Sequence, residues 1–412
     1  MSTGDNIPPT IRPTAIITDC DYFPILQSIR EITGKNVPVW NWWPAGAYLQ
    51  LRIFGPEKYG GLGDVANKAR HVAEATGRDV EEVTKEMTNM KQGKLIVLPG
   101  LPAFYDYEWY PQPDDRYKEL PVCFYDVFKA GAEFMKECDA VVYNTCSAYE
   151  PEAIYATRQW LKESGSRKLY TIGPIFPWPD TIFESSKHGL LATDHEVPEY
   201  GTPVRAFMDR ILASHGEKSL LYPPYHADNE AGQFRCHSEH EIPFIFAIAS
   251  PHADLPTELI EKVSGSGFAM ISKWCPQQMI LSHPVTGWFL SHCGRNSILE
   301  ALSRGIPIIA WPLVFDQPVN AAYISLSLDV AFELIQVRTG IEGLKRLHRG
   351  GSPTVGTCES VAAEARDVLR RIKGSEGDRK RRNAEAVRDK LSKNAGDGLE
   401  DFKRLLRDAT KD

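Results

Sequence analysis

Three short apolar runs, Phe268 to Ser272, Val285 to Leu290 and Ile306 to Leu313, lie close together in this chain and are separated by segments of helical length. Each is rich in Ile, Val, Phe or Trp, the composition of a buried strand. Strand, helix, strand, helix, strand is the pattern of a parallel sheet, because parallel neighbours need a crossover between them. An open parallel sheet gathers its ligand groups outside the carboxyl ends of its strands.

The residues that follow these runs are polar and of matched chemistry. Trp274 follows the first, His292, Gly294, Asn296 and Ser297 follow the second, and Asp316 and Gln317 follow the third. Trp274 offers a flat face to a base, a stack worth about 1–3 kcal/mol where it forms. The His292 to Ser297 stretch occupies a strand-to-helix turn, where free backbone N–H groups and the helix dipole favour a phosphate. Glu300 lies one turn further on and suits the two hydroxyls of a ribose, while Asp316 and Gln317 suit the hydroxyls of a sugar. These groups together suggest a nucleotide sugar. Singly, each has a structural alternative. Ser297 to Glu300 also spells an S-x-x-E capping box, and Trp274 could be ordinary core.

From Trp274 to Gln317 the elements W-x-P-Q-x-x-I-L-x-H, H-C-G-x-N-S-x-x-E, G-x-P and D-Q stand in register. This stretch resembles the donor-binding signature of the family 1 UDP-dependent glycosyltransferases, and it is far more specific than a lone glycine-rich loop. The resemblance implies an α/β protein of the GT-B class, two Rossmann-like domains whose parallel sheets face an interdomain cleft. It implies that Trp274 stacks on uracil, that Gln277 and Glu300 hold the ribose, and that His292, Gly294, Asn296 and Ser297 surround the diphosphate. Asp316 and Gln317 would take the transferred sugar, Gln317 favouring glucose. Arg295 stands where plant members carry Trp, which puts a cation beside the phosphate turn.

Composition fits a two-domain enzyme. The 412 residues are 42% hydrophobic, enough for two cores. A net charge of -7 argues against a nucleic-acid partner. The eight cysteines show no C-x-x-C pair, so they read as reduced thiols in a cytoplasmic protein. No run approaches the length of a transmembrane helix, and the first residues lack the shape of a signal peptide. Isolated histidines such as His71, His188 and His348 read as surface residues. The basic run Arg379 to Arg382 reads as a solvated helix face.

The first part of the chain resembles the family's N-terminal domain entered partway. Pro13 to Asp19 reads as a buried strand ending in an acid, and the resemblance makes Asp19 the carboxylate that orients a catalytic histidine. The alternative for Asp19 is a helix N-cap. Further strands are expected at Val37 to Trp43, Asp139 to Thr145 and Tyr170 to Ile175. The expected division is an incomplete acceptor-side domain over 1–176, a connection over 177–203, a UDP-sugar domain over 204–345, and C-terminal helices over 346–412 that return toward the first domain.

Two family features are absent from the sequence. The G-H-x-x-P-like turn that carries the general base has no counterpart, since no histidine precedes His71. The S-F-G-S loop expected after Tyr222 is replaced by Pro223-Pro224-Tyr225-His226-Ala227-Asp228-Asn229. A Pro-Pro pair lacks the N–H groups that such a loop offers a diphosphate. Abrupt gaps between typical flanks are what a truncated or mis-spliced gene model would give.

The expected activity is therefore that of an inverting UDP-glycosyltransferase. It would move a hexosyl group, glucose in the first instance, from a UDP-sugar to a hydroxyl of a small lipophilic or phenolic acceptor, with neither metal nor cofactor. The alternative is an impaired UDP-sugar-binding fragment. A UDP-sugar epimerase of the same architecture fits less well, since Asp316-Gln317 points to transfer.

Overall fold

The computed structural model describes residues 13–19, 23–89, 91–113, 124–165, 167–175, 201–223, 242–248 and 257–410. These group into two compact units. The first comprises Met1–Thr88, Pro121–Pro174 and Ala395–Asp412, and the second Asn89–Leu120 and Ile175–Asn394.

The first unit holds a parallel sheet of β1 (Ile16–Asp19), β2 (Val39–Trp43), β5 (Ala140–Tyr143) and β6 (Lys168–Thr171), in that order, while β3 (Leu95–Ile96) and β4 (Phe104–Tyr105) form an antiparallel pair within the second unit. Helices α1 (Phe23–Thr33), α2 (Ala47–Phe54), α3 (Val65–Thr76), α4 (Val80–Thr88), α5 (Phe124–Glu137) and α6 (Pro151–Glu163) accompany the first unit's sheet. β5 is buried at all four positions, as a central parallel strand covered on both faces must be. Trp40, Ala140, Val142, Tyr170 and Leu405 form one core cluster. Leu405 comes from the far end of the chain, where residues 395–412 join this unit. Asp401 accepts from the Thr171 N–H and hydroxyl, each at 2.9 Å, and Asp408 accepts from the Tyr170 hydroxyl at 2.6 Å.

The second unit holds six parallel strands: β7 (Leu220–Tyr222), β8 (Phe244–Ala247), β9 (Ala269–Ser272), β10 (Thr286–Ser291), β11 (Ile308–Ala310) and β12 (Ala331–Glu333). Their spatial order is β12-β11-β10-β7-β8-β9. This is the doubly wound order whose direction reverses between the first and fourth strands, here β7 and β10. At that seam Tyr222 and Phe289 stack with ring centroids 5.4 Å apart. Gly287 lets the two strands meet, since a Cβ there would fall 2.0 Å from the Lys218 carbonyl oxygen, and the register shifts at this point. The helices are α7 (Gly201–His215), α8 (Thr257–Gly265), α9 (Gln277–Ser282), α10 (Arg295–Ser303), α11 (Gln317–Ala322), α12 (Gly340–Gly343), α13 (Cys358–Arg371) and α14 (Ser375–Ala409).

Several expectations need correction. Residues 89–120, which the sequence reading assigns to the N-terminal domain, belong to the second unit. The physical reason is a set of backbone and side-chain bonds to residues 337–348. Arg338, only 2% exposed, donates to the Glu108 carbonyl at 2.6 Å, the Thr339 N–H donates to the Pro111 carbonyl at 2.7 Å, and the His348 N–H donates to the Glu108 carboxylate at 2.8 Å. The basic run is a solvated face only in part: Arg379 and Arg382 are exposed, whereas Lys380 and Arg381 turn toward the protein. Lys380 is 4% exposed and donates to Asp329 at 2.7 Å, Arg379 donates to the same carboxylate at 2.8 Å, and the Arg381 guanidinium lies 5.6 Å from the Trp288 ring centroid. The expected connection over 177–203 lies outside the described residues except for its last three, which open α7. The stretch from Pro224 to Asn229 and His188 also lie outside them, whereas His71 and His348 are described and exposed.

Leu405 and its neighbour Leu406 test the role of the C-terminal helix. Leu405 is 2% exposed and Leu406 is 48% exposed. We expect Leu405→Ala to cost about 2–5 kcal/mol by the loss of packed methyl groups. Leu406→Ala should stay within about 0.5 kcal/mol, both read from urea unfolding.

Candidate donor site at the strand ends of the second unit

The turn after β10 is built around a strained residue. Cys293 has φ of 67°, a left-handed conformation that costs an ordinary residue about 1–2 kcal/mol. It is fully buried, and its N–H donates to the Ser291 hydroxyl at 3.1 Å. Gly294 follows as the N-cap of α10, with extended backbone and no side-chain cap. A Cβ at Gly294 would fall 2.3 Å from His292 Nε2, so only glycine lets the imidazole lie against this turn. The first N–H groups of α10, from Arg295, Asn296 and Ser297, thus carry the positive end of the helix dipole.

The capping-box alternative is not what the chain adopts. The helix begins at Arg295, two residues before Ser297, and Glu300 is well inside it. Glu300 instead meets Gln277, whose side-chain amide donates to its carboxylate at 2.6 Å. Gln277 opens α9, so two segments far apart in sequence present one carboxylate–amide pair. Trp274 is 44% exposed, which removes the core alternative for that ring. Its carbonyl accepts from the Ser272 hydroxyl at 2.6 Å, which fixes the backbone where the chain leaves β9.

After β11, Asp316 and Gln317 sit at the start of α11. Gln317 Oε1 accepts from the Leu313 and Val314 N–H groups at 2.9 and 3.1 Å, which holds the loop closed and leaves the amide nitrogen as the side chain's donor. Burial pushes the Asp316 carboxyl above its ordinary range, opposed by a hydrogen bond from Asn320 and by the charge of Arg295. Arg295 is 4% exposed. Its positive charge is a lesser influence that lowers the Asp316 carboxyl.

Asn320 is a residue that the sequence reading missed. Its side-chain nitrogen donates to Asp316 at 2.8 Å and to the Cys293 carbonyl at 2.8 Å. The available signal was its spacing, since a residue four positions after Asp316 on a helix faces the same way.

Asp19 belongs to the first unit. It ends β1, the edge strand, and pairs with Trp42. Residues 20–22, between it and α1, lie outside the described residues. The structure thus brings Gln277 to Glu300, and Asp316 to the Cys293–Gly294 turn, while Asp19 is part of a different unit. Among the described residues, no group of three or more His, Cys, Asp or Glu side chains could hold a metal ion, and no helix is long and apolar enough to cross a membrane.

The thiols lining this region are set for structure rather than reactivity. Burial pushes Cys275 up to about 11 and Cys293 well above the thiol range. A raised pKa keeps the thiol protonated at neutral pH, and the thiolate is the reactive form. We expect iodoacetamide at pH 8 to label exposed Cys358 in the native protein, and Cys275 and Cys293 only after unfolding, as mapped by mass spectrometry.

Comparison with known proteins identifies the family and the fold. Residues 248–338 match the family described as "UDP-glucoronosyl and UDP-glucosyl transferase". A UDP-glycosyltransferase of Hericium erinaceus, eriJ, is 31% identical over 374 residues, which are 87% of this chain and 70% of that one. Among solved structures, Phytolacca americana UGT2 complexed with UDP-2fluoro-glucose and pterostilbene superposes with a TM-score of 0.64 at 20% identity, covering 96% of this chain and 74% of that one. A UGT transferase from Siraitia grosvenorii in complex with UDP gives 0.66 at 17% identity, covering 97% and 82%. The fold is that of the GT-B glycosyltransferases, and the chain belongs to the family 1 UDP-glycosyltransferases.

Proposed function

We propose that this chain is an inverting UDP-glycosyltransferase that moves a hexosyl group, glucose in the first instance, from a UDP-sugar to a hydroxyl of a small lipophilic or phenolic acceptor. The observation that carries the reading is the arrangement of complementary groups at neighbouring strand ends: the Gln277–Glu300 pair, the uncapped start of α10, and Asp316 tied to the turn that precedes it. Trp274 would stack on uracil. Glu300, with Gln277 fixing one carboxylate oxygen, would accept from the ribose hydroxyls. His292, Gly294, Asn296 and Ser297 would surround the diphosphate, with backbone N–H groups on its oxygens. Asp316 would accept from a sugar hydroxyl and the Gln317 amide would donate to one.

In this mechanism a base takes the proton of the acceptor hydroxyl, the oxygen attacks the anomeric carbon, and the bond to UDP breaks on the opposite face, inverting that carbon. Negative charge grows on the leaving diphosphate, where the helix start and His292 would stabilise it without a metal. Asp19 would orient a histidine base, although the turn that carries this base in the family has no counterpart in this sequence. A second reading, a protein that binds UDP-sugars without transferring them, is favoured by the histidine content of the first unit. His71 is its single histidine, and it lies exposed on α3. The two readings share the donor site. A cytoplasmic location goes with both, supported by the described cysteines, which are free.

Calorimetry with UDP and UDP-glucose, followed by UDP release with and without an added acceptor alcohol, tests the proposal. Release that depends on the acceptor supports transfer; binding without such release supports the second reading; binding of neither ligand refutes both. Trp274→Ala should weaken UDP by about 1–3 kcal/mol if the ring stacks on the base. Asp316→Ala should reduce transfer and UDP-glucose affinity while leaving UDP affinity unchanged, and an equal loss for both ligands would contradict its assignment to the sugar. Because burial raises the Asp316 carboxyl, its protonation on acidification begins at a higher pH than for an ordinary carboxyl. The contribution of Asp316 to UDP-glucose binding should therefore begin to fall at a higher pH than an ordinary carboxylate would give, read from the pH dependence of UDP-glucose affinity in the wild type and in Asp316→Ala.

A further inference from the structure

We infer that Asn320 is a positioning residue for the donor, a single buried amide that sets the diphosphate turn and the sugar-binding carboxylate relative to each other. The inference rests on the donor-site reading above.

Asn320 is fully buried on α11, and its amide nitrogen spans two loops that follow adjacent strands, β10 and β11. One N–H goes to the Cys293 carbonyl at 2.8 Å and the other to Asp316 Oδ2 at 2.8 Å. Both partners are acceptors, so the amide orientation is fixed by its surroundings: the flipped form would set oxygen against oxygen. No hydroxyl, and no carboxyl, supplies two donors at this spacing.

Each bond has a consequence at the site. Cys293 is held in a left-handed conformation, and the peptide that joins it to Gly294 leads into α10. In a trans peptide the C=O and N–H point in opposite directions. Asn320 draws the Cys293 carbonyl into the interior, which turns the Gly294 N–H the other way, alongside the first N–H groups of α10. The second bond occupies one oxygen of Asp316 and leaves the other for a sugar hydroxyl, with the carboxylate plane fixed. The groups facing Asp316 are then Asn320 from its own helix, Arg295 from α10 and the Cys293 thiol from the turn.

The remaining oxygen of Asn320 has no hydrogen-bond partner among the described residues. A buried acceptor left unsatisfied is costly, and a leucine of similar volume would avoid that cost at this place in the core. The two donor bonds are what an apolar residue cannot provide.

The decisive experiment is a double-mutant cycle with Asp316, read separately on UDP and on UDP-glucose by calorimetry, using the full chain. A hydrogen bond to a charged group is worth roughly ten- to a hundredfold in an equilibrium constant. Asn320→Ala should weaken UDP about tenfold through the turn, and UDP-glucose about a hundredfold through the turn and Asp316 together. With Asp316→Ala already in place, adding Asn320→Ala should cost UDP-glucose only the tenfold that UDP loses. A purely structural role predicts the same loss for both ligands in both backgrounds, and that result would overturn the inference. Where Asn320→Ala does not keep the native near-UV circular dichroism, Asn320→Ser, which retains one donor, decides by the same comparison. Loss of fold in both variants would make Asn320 a structural tie alone and would also overturn it. Wild-type chain that binds neither UDP nor UDP-glucose would refute the donor-site reading itself, a failure seen before any variant is made.

Discussion

Parallel pairing in the six-stranded sheet is the constraint on which the candidate site depends. All its strands run the same way, so the loops after β9, β10 and β11 all leave from one edge. The strand order reverses between β7 and β10, the place where a doubly wound sheet takes its ligand. The floor of the seam is aromatic and dry, with Tyr222 on Phe289, and the close approach at Gly287 keeps the two strands in contact. A sheet of mixed direction would have sent Trp274, His292 and Asp316 to opposite edges.

On that edge the chain trades local comfort for exposed polarity. Cys293 adopts a left-handed conformation without being glycine, Gly294 caps a helix without a side chain, and Asp316 and Arg295 are charged groups with little access to water. Each of these costs stability. Stability is recovered beneath the site. The core of Phe244, Phe246, Trp288, Leu290, Ile309 and Trp311, closed by Val368 and Leu369 of α13, supplies a rigid base.

Each unit is assembled from segments that are discontinuous in the chain. Residues 89–120 leave the first unit's sequence and pack into the second, while residues 395–412 extend from the second unit's helix into the first. In each case the bonds are specific. Asp106, 1% exposed, accepts from the Gln92 and Gly93 N–H groups at 3.0 and 2.8 Å to shape the first segment, and Asp401 and Asp408 seat the second. The chain therefore cannot be cut at a single point into two self-sufficient halves.

The sequence by itself determined the α/β class, the parallel strands of the second unit and the positions of the polar residues at their ends. Those features are local: strand runs are recognised by length and β-branched content, and Trp274, His292 and Asp316 follow them immediately. The family resemblance, carried by the run from Trp274 to Gln317, came from the same stretch. Tertiary structure decided what long-range pairing alone can decide. That Glu300 bonds Gln277 instead of capping its own helix, that Arg295 is buried, that Asn320 reaches the Cys293 carbonyl, and that residues 89–120 belong to the second unit all depend on contacts between segments far apart in the chain or on different secondary elements. Periodicity fixes which face a residue occupies, but only packing fixes what that face meets.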